Sequence, residues 1–531
     1  MSRVLAIWLD GFDMGLADRF ELPALSKLAS TSACAELHNG TDHLTGLSGE
    51  HIATGLSPVD SGRASAVWFE PRTYQCTQRG TDMVPIYGGV PTVVFDPCYF
   101  DLPTTPETVM GATGWGAHDP GAPPAARPDS IRSEIEERFG AYPAEPWLYA
   151  TPWASPERCE QAGDALTRAT RARAQAARWL LGERLPNWSL ALVGVSEAHS
   201  ATEALYHGVD SSPRWASWPS CDPAAASLRS VYEEIDGLVA ELIAAFPDAV
   251  HVVFAPHGMG PNGSDVASMV LLGEVLVRWS GGATEDAAFT VNPDGLPVMS
   301  GDESWGGAVR AALEGSDGSN QTPPLARRVA GRLRRGLRRG LRRPQSPGAP
   351  LDWMPLTRHR SRWPQMRAFA LPSFYDGRVR INVAGREAQG LVDPGDYGSV
   401  LDEIEELLSA CRDPITGDPV VESFTRPSPD PFEIDPTQAD LVVTWSPGVL
   451  GLRHRDLGTI GPLPPRRTGG HSSPIGRCLI GGPGIEPADL GTRSSHDVVP
   501  TLLHLSGSPL PWDPTGTVIE IPKAGGGAQS P

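Results

Sequence analysis

Five short apolar runs are spread along the chain: Val4 to Leu9, Pro91 to Phe95, Leu190 to Val195, Val250 to Ala255 and Leu441 to Trp445. Each is too short for a core helix and nearly free of polar residues, the pattern of a strand buried on both faces of a parallel sheet. Between them, Glu157 to Arg184 and Ala224 to Phe246 are rich in Ala, Leu, Arg and Glu, with apolar residues three to four apart and few breakers, so both read as helices. Strands alternating with helices predict a doubly wound α/β fold. A chain of 531 residues is long enough to bury such a core and still carry insertions.

The 58 glycines and 53 prolines imply long, shaped loops, the parts of a fold that usually carry function. The stretch Gly281 to Pro324 is rich in Gly, Asp and Ser, and an arginine run and Pro344 to Pro350 follow it. Residues 281–350 therefore read as an insertion or linker. They separate a first core part, 1–280, from a second, 351–520, with a loop-rich insertion at about 66–155 and a disordered tail at 521–531. Within the arginine run, Arg327 to Arg343, four apolar residues (Val329, Leu333, Leu337 and Leu341) stand four apart among nine arginines. The ordinary reading is a solvated arm, since Gly331, Gly336 and Gly340 weaken any helix there. Contact with an anionic membrane or an acidic partner is the alternative.

A net charge of −19 repels polyanions, so nucleic acid is not an expected partner. Seven scattered cysteines without a Cys-x-x-Cys pair argue against a disulfide framework and against a thiolate zinc site. The N-terminal apolar run is cut by Asp10 before it reaches signal-peptide length, and no later run is long enough to span a bilayer. A cytoplasmic location is expected.

In open α/β sheets the ligand crevice lies beyond the carboxyl ends of the strands. Residues there are of metal-ligand type: Asp10 after the first run, His199 and Glu203 after Leu190 to Val195, His257 after Val250 to Ala255, and His471 in a Gly-Gly-His-Ser-Ser loop. His199 and Glu203 are four apart, on one face of a helix start, although such pairs are also common on plain helix surfaces. Gly258-Met-Gly260-Pro-Asn-Gly263 matches a dinucleotide-binding pattern only formally, because His257 occupies the tight turn.

With these residues in place, the chain resembles the alkaline phosphatase superfamily, most closely its bacterial type I phosphodiesterase/nucleotide pyrophosphatase-like branch. The resemblance runs from Ala6-Ile-Trp-Leu-Asp10-Gly and Leu22-Pro-Ala-Leu to Thr45-Gly-Leu-Ser-Gly, nine residues before Thr54-Gly55. It continues through Trp115 to Pro120, Ser196-Glu-Ala-His199, His257-Gly-Met-Gly260, Gly377 to Val383 and Asp413 to Val420. It ends with Gly469-Gly-His471 and His496-Asp-Val-Val-Pro. The resemblance implies a three-layer αβα sandwich with a mostly parallel central sheet and inserted cap segments. It also implies a phosphohydrolase that acts on a small-molecule phosphate ester or phosphodiester, nucleotide or nucleotide-sugar types included.

By the same resemblance Thr45 is the nucleophile, giving a phosphoryl-threonine, where a glycine-rich segment alone would suggest a turn or N-cap threonine. One or two divalent ions, zinc with manganese or iron as alternatives, are implied on Asp10, Thr45, His199, Glu203, His257 and His471. Two departures bear on mechanism. His199-Ser-Ala-Thr-Glu203 reverses the usual order of carboxylate and imidazole, and Pro256 stands where the pattern has a metal-binding aspartate. Asp119 or Glu50 could fill that gap, or one ion could suffice. A member that binds a phosphorylated ligand without turnover, and a phosphoryl transferase, are the competing readings.

Overall fold

The computed structural model describes residues 3–39, 48–80, 83–116, 118, 121–145, 148, 155–282, 289, 291, 296–297, 299, 304–313 and 349–522. Thr45, Asp119 and Arg327 to Arg343 lie outside these, as does most of 281–350. Among the described residues a nine-stranded sheet forms the centre. Its strands begin, in spatial order, at Ala488, Ala33, Ile475, Val250, Val4, Leu190, Thr92, Val109 and Ala125. Only Ile475–Gly481 and Ala125–Arg127 run antiparallel to their neighbours. The last three of the nine fall within 66–155.

Val4–Leu9 pairs in parallel with Leu190–Val195 on one side and Val250–Ala255 on the other. Because successive side chains of a strand point to opposite faces, this strand feeds two cores. Leu5, Ile7 and Leu9 pack towards the helices Pro156–Trp179 and Cys221–Ala245; Val4, Ala6 and Trp8 pack towards the helix Val498–Ser506. Helices on both faces make the expected three-layer α/β sandwich. Ser155 caps the first of these helices through its side chain, and Pro156 opens it. No helix among the described residues is long and apolar enough to cross a membrane.

Leu441–Trp445 corrects the sequence expectation. It belongs to a separate four-stranded sheet, ordered Ala368–Leu371, Gly377–Ile381, Leu441–Trp445, Val421–Thr425, and all of its pairings are antiparallel. A run of apolar residues reports burial, and burial here comes from a second core that includes Val379, Leu401, Val443 and Trp363. Strand direction is set by the connections, which the run does not encode.

A buried ion network ties the strand ends together. Arg173, fully buried on the helix Pro156–Trp179, donates from Nε to both oxygens of Glu197 (2.9 and 3.0 Å). Its Nη1 donates to Asp96 Oδ2 (2.9 Å) and to the Gly194 carbonyl (3.0 Å), and its Nη2 to the Gly116 carbonyl (3.2 Å). Asp96 in turn accepts from the amides of Trp115 and Gly116 (2.9 and 2.8 Å). One guanidinium thus links the ends of Thr92–Phe95 and Leu190–Val195 to Trp115 and Gly116 and to the start of the helix Glu197–Leu205.

Candidate functional site

Asp10 is buried just past the carboxyl end of Val4–Leu9 and places Oδ2 3.0 Å from His199 Nδ1. That imidazole projects from the first turn of Glu197–Leu205, directly against the loop after Asp10. Gly11 makes the approach possible, because its φ is +59° and a Cβ there would fall 2.4 Å from the His199 Cβ. A Gly11→Ala variant should lose about 1–3 kcal/mol of stability, from the left-handed backbone and the displaced histidine. Urea unfolding measures the loss, and a metal titration should show weakened binding alongside it.

His199 Nε2 faces Glu203 Oε1 at 3.5 Å and His471 Nε2 at 2.8 Å. Glu203 Oε2 faces His118 Nε2 at 3.5 Å, and the His118 and His199 rings stack with centroids 3.7 Å apart. His118 Nδ1 lies 2.8 Å from Ser200 Oγ. His257, after Val250–Ala255, sets Nδ1 3.1 Å from the Gly258 carbonyl and 3.4 Å from His471 Nδ1. His471 sits on the strand Gly469–Ser473, paired antiparallel with Gly258–Pro261. The Gly-Gly-His-Ser-Ser segment, expected as a loop, therefore forms a short ribbon with Gly258–Pro261. Gly469 lets it close on the helix Glu197–Leu205, since a Cβ there would meet the Thr202 carbonyl at 2.2 Å.

Asp10, His199, Glu203, His257 and His471 are thus brought into one continuous cluster. Among the described residues, however, the compact three-ligand group is His118, His199 and Glu203, whose ligand atoms lie within 4.8 Å of one another. His118 was given no role from sequence. The available signal was its place in a loop beyond the strand Val109–Thr113. Glu50 is committed elsewhere, in a buried ion pair with Arg63 at 3.2 Å.

Charge follows from these contacts. Burial disfavours an imidazolium at His199, yet Asp10 and Glu203 outweigh burial and hold its pKa up at about 10. Burial also opposes charge on Asp10, but His199 pulls that carboxyl below its ordinary value. Burial, reinforced by the positive His199, pushes His118 and His471 well below the ordinary imidazole value. Burial lowers His257 as well. Neutral imidazoles are the form that ligates metal, which His118, His257 and His471 already are, whereas His199 would give up its Nε2 proton to a bound cation.

The residues fit a divalent ion. A tetrahedral ion with bonds of about 2.0–2.1 Å spaces its ligand atoms roughly 3.3 Å apart. Glu203 Oε2 is 3.5 Å from His118 Nε2, close to that spacing, and one ligand atom from each of His118, His199 and Glu203 lies within 4.8 Å of the others. Each Nδ1 is occupied, His199 by the Asp10 carboxylate and His118 by the Ser200 hydroxyl, which orients the opposite nitrogen towards the site. Among the described residues Glu203 Oε2, fully buried, finds no hydrogen-bond donor, a costly arrangement unless a cation takes it. Glu203 Oε1 is contacted by Arg467 Nη1.

No protein-family model and no curated protein matches the sequence. Solved structures similar in chain path include phosphonoacetate hydrolase from Sinorhizobium meliloti 1021 in complex with phosphonoformate. It is 15% identical, with a TM-score of 0.45 over 96% of this chain and 95% of that one. Murine ectonucleotide pyrophosphatase/phosphodiesterase 5 is 11% identical, with a TM-score of 0.47 over 97% of each chain. The AMP complex of that murine protein in an inactive form gives a TM-score of 0.48 at 11% identity, over 97% of this chain and 98% of that one. At these values the chemistry has to come from this chain's own side chains.

Proposed function

We propose that the chain is a metal-dependent phosphohydrolase of the alkaline phosphatase superfamily, opening a phosphate ester or phosphodiester through a phosphoryl-threonine at Thr45. The observation that carries this reading is the convergence of two oriented Nε2 atoms, from His118 and His199, on a buried carboxylate with one oxygen that no described residue hydrogen-bonds. Imidazole with carboxylate suits zinc, with manganese or iron as alternatives. Such an ion, when bound, supplies Lewis acidity at a phosphoryl oxygen and lowers the pKa of a coordinated hydroxyl.

The chain's own residues do the rest. His118, His199 and Glu203 would hold the ion, with His471 beside His199. Asp10 fixes the His199 ring and, with His257, forms the other end of the cluster, where the resemblance places Thr45. Attack by Thr45 Oγ1 forms an O–P bond as the bond from phosphorus to the leaving oxygen breaks, and the proton lost by the threonine balances the one taken up by the leaving alkoxide. Water then cleaves the phosphoryl-threonine, releasing phosphate or a monoester and restoring the hydroxyl.

The test is elemental analysis of the purified protein with assays on aryl phosphate monoesters and diesters, before and after chelation. At least one equivalent of zinc, manganese or iron with chelator-sensitive turnover supports the proposal. Bound metal without turnover of any ester would select the ligand-binding reading, which draws on Pro256 and on the guanidinium at Glu203. Product diverted to added alcohols would select a transferase, and neither metal nor turnover would sink the hydrolase.

A further inference from the structure

Beyond the helix Val498–Ser506 the chain runs on to Pro522 without helix or strand, yet it is pinned at closely spaced points. Trp512 Nε1 donates to the Thr54 carbonyl (3.1 Å) and the Thr515 amide to the Gly55 carbonyl (2.9 Å). Thr515 Oγ1 accepts from the Ser57 amide (2.8 Å) and donates to Asp60 Oδ2. Further along, the amides of Thr517 and Ile519 donate to Asp497 Oδ1 (2.8 Å) and Thr501 Oγ1 (2.9 Å), and Ile519 is buried. Gly516 lies flush on the turn at His496, where a Cβ would fall 2.0 Å from that residue's carbonyl oxygen.

This strap holds one end of the helix Ser48–Thr54. Seven residues are too few for a helix that is stable by itself, and with Gly49 to Thr54 all buried, the carbonyls at its end need partners inside the protein. Glu50 O accepts from the Thr54 hydroxyl (2.9 Å), His51 O from the Gly55 amide (2.7 Å), Ile52 O from the Tyr87 hydroxyl (2.7 Å) and Ala53 O from the Ile86 amide (2.8 Å). The last two, on Thr54 and Gly55, are the ones that Trp512 and Thr515 take, across 458 positions in the case of Thr54. The other end of the helix lies at the site. A Cβ on Gly49 would be 2.9 Å from Tyr99 Cδ2 and 3.1 Å from the Cys98 carbonyl oxygen, and Cys98 Sγ is 3.7 Å from Asp10 Oδ2. In sequence, Ser48 follows Thr45 by three positions.

We infer that Trp512 and Thr515 are positioning residues for the site: by capping the end of this helix they keep its start seated against Cys98, beside Asp10. The link to turnover rests on the proposed function, through Thr45; the seating at Cys98 does not. Each variant below gives up side-chain hydrogen bonds of the strap and leaves the strap's other pins in place, so the helix should open more often without the protein unfolding.

The test is alkylation of the full-length protein by N-ethylmaleimide, read peptide by peptide in a mass spectrometer, beside steady-state kinetics on an aryl phosphate. Trp512→Phe keeps a ring and loses the N–H, Thr515→Val keeps the shape and loses the hydroxyl, and Thr515→Ser restores the hydroxyl. Cys98 is buried, so it reacts only when the helix start lifts. Its labelling should run about 3–10-fold faster in Trp512→Phe and Thr515→Val, the loss of a neutral hydrogen bond, and return towards wild type in Thr515→Ser. Cys411, buried in the second core, should keep its wild-type rate. Turnover should fall about 3–10-fold in kcat with KM little changed, because neither residue touches substrate and a small displacement near the nucleophile costs rate. The two substitutions remove different contacts, so if one variant does not fold the other decides. Unchanged Cys98 labelling overturns the inference, as does faster labelling of Cys98 and Cys411 alike, which reports general loosening, or faster Cys98 labelling with kcat at the wild-type value. A wild type that hydrolyses no ester removes the hydrolase reading instead, and the contrast between Cys98 and Cys411 then decides the seating by itself.

Discussion

Thr45→Ala and His199→Ala should both abolish ester hydrolysis, by about 10³-fold or more, while differing in the metal they retain. Removing the threonine hydroxyl takes away the attacking atom and leaves His118, His199, Glu203 and His471 in place, so the metal content should stay at the wild-type level. His199 is the hub of the cluster: its Nδ1 holds Asp10, its Nε2 faces both Glu203 and His471, and its ring stacks on His118. Its loss removes a ligand and frees its neighbours to move. Since even the loss of a residue that merely orients a ligand costs about 10–100-fold in metal affinity, a ligand at the centre should cost more. Elemental analysis after desalting, beside single-turnover assays on an aryl phosphate, separates the two variants. Metal lost from Thr45→Ala would make the threonine a dominant ligand, and turnover surviving in it would move the nucleophile elsewhere.

The sheet and most of the cluster were legible in the sequence because both depend on local pattern. A strand buried on two faces must be apolar throughout, and in an open α/β sheet the residue after such a strand faces the ligand crevice. That logic located Asp10, His199, Glu203 and His257 before any geometry was known. It missed His118, because Val109–Thr113 was not among the apolar runs read as strands and because the residue's position depends on Asp96 holding the Trp115 and Gly116 amides and on Arg173 holding Asp96. Those contacts join residues up to 77 positions apart. Nor could spacing show that Asp10 acts on His199 through Nδ1, or that Arg467 meets Glu203, a pair separated by 264 positions. The antiparallel setting of Leu441–Trp445 and the ribbon of Gly258–Pro261 with Gly469–Ser473 failed to show for a related reason. Pairing partners and strand direction are properties of the chain's route, and a short segment carries no record of it.

Arg173→Met should destabilise the protein by about 3–5 kcal/mol, the cost of leaving buried carboxylates without their cation. Methionine fills much of the same volume, so the effect is one of charge more than of packing. In the wild type Arg173 compensates both Asp96 and Glu197, all three fully buried. Burial already raises the Glu197 carboxyl above its ordinary value against the pull of Arg173, and without that cation its pKa climbs further above that of the unfolded chain. The folded variant then binds more protons than its unfolded form, so its stability should fall as pH rises through the ordinary carboxylate range and above, and recover as pH falls. Urea denaturation of wild type and variant at several pH values tests this directly, with the deficit expected to be largest at neutral pH and above and to shrink in mild acid. A pH-independent deficit would assign the loss to packing. Because the same guanidinium anchors Gly116, two residues before His118, and the start of the helix carrying His199 and Glu203, the variant should also bind metal more weakly under conditions where it remains folded. The scaffold and the site share this one residue.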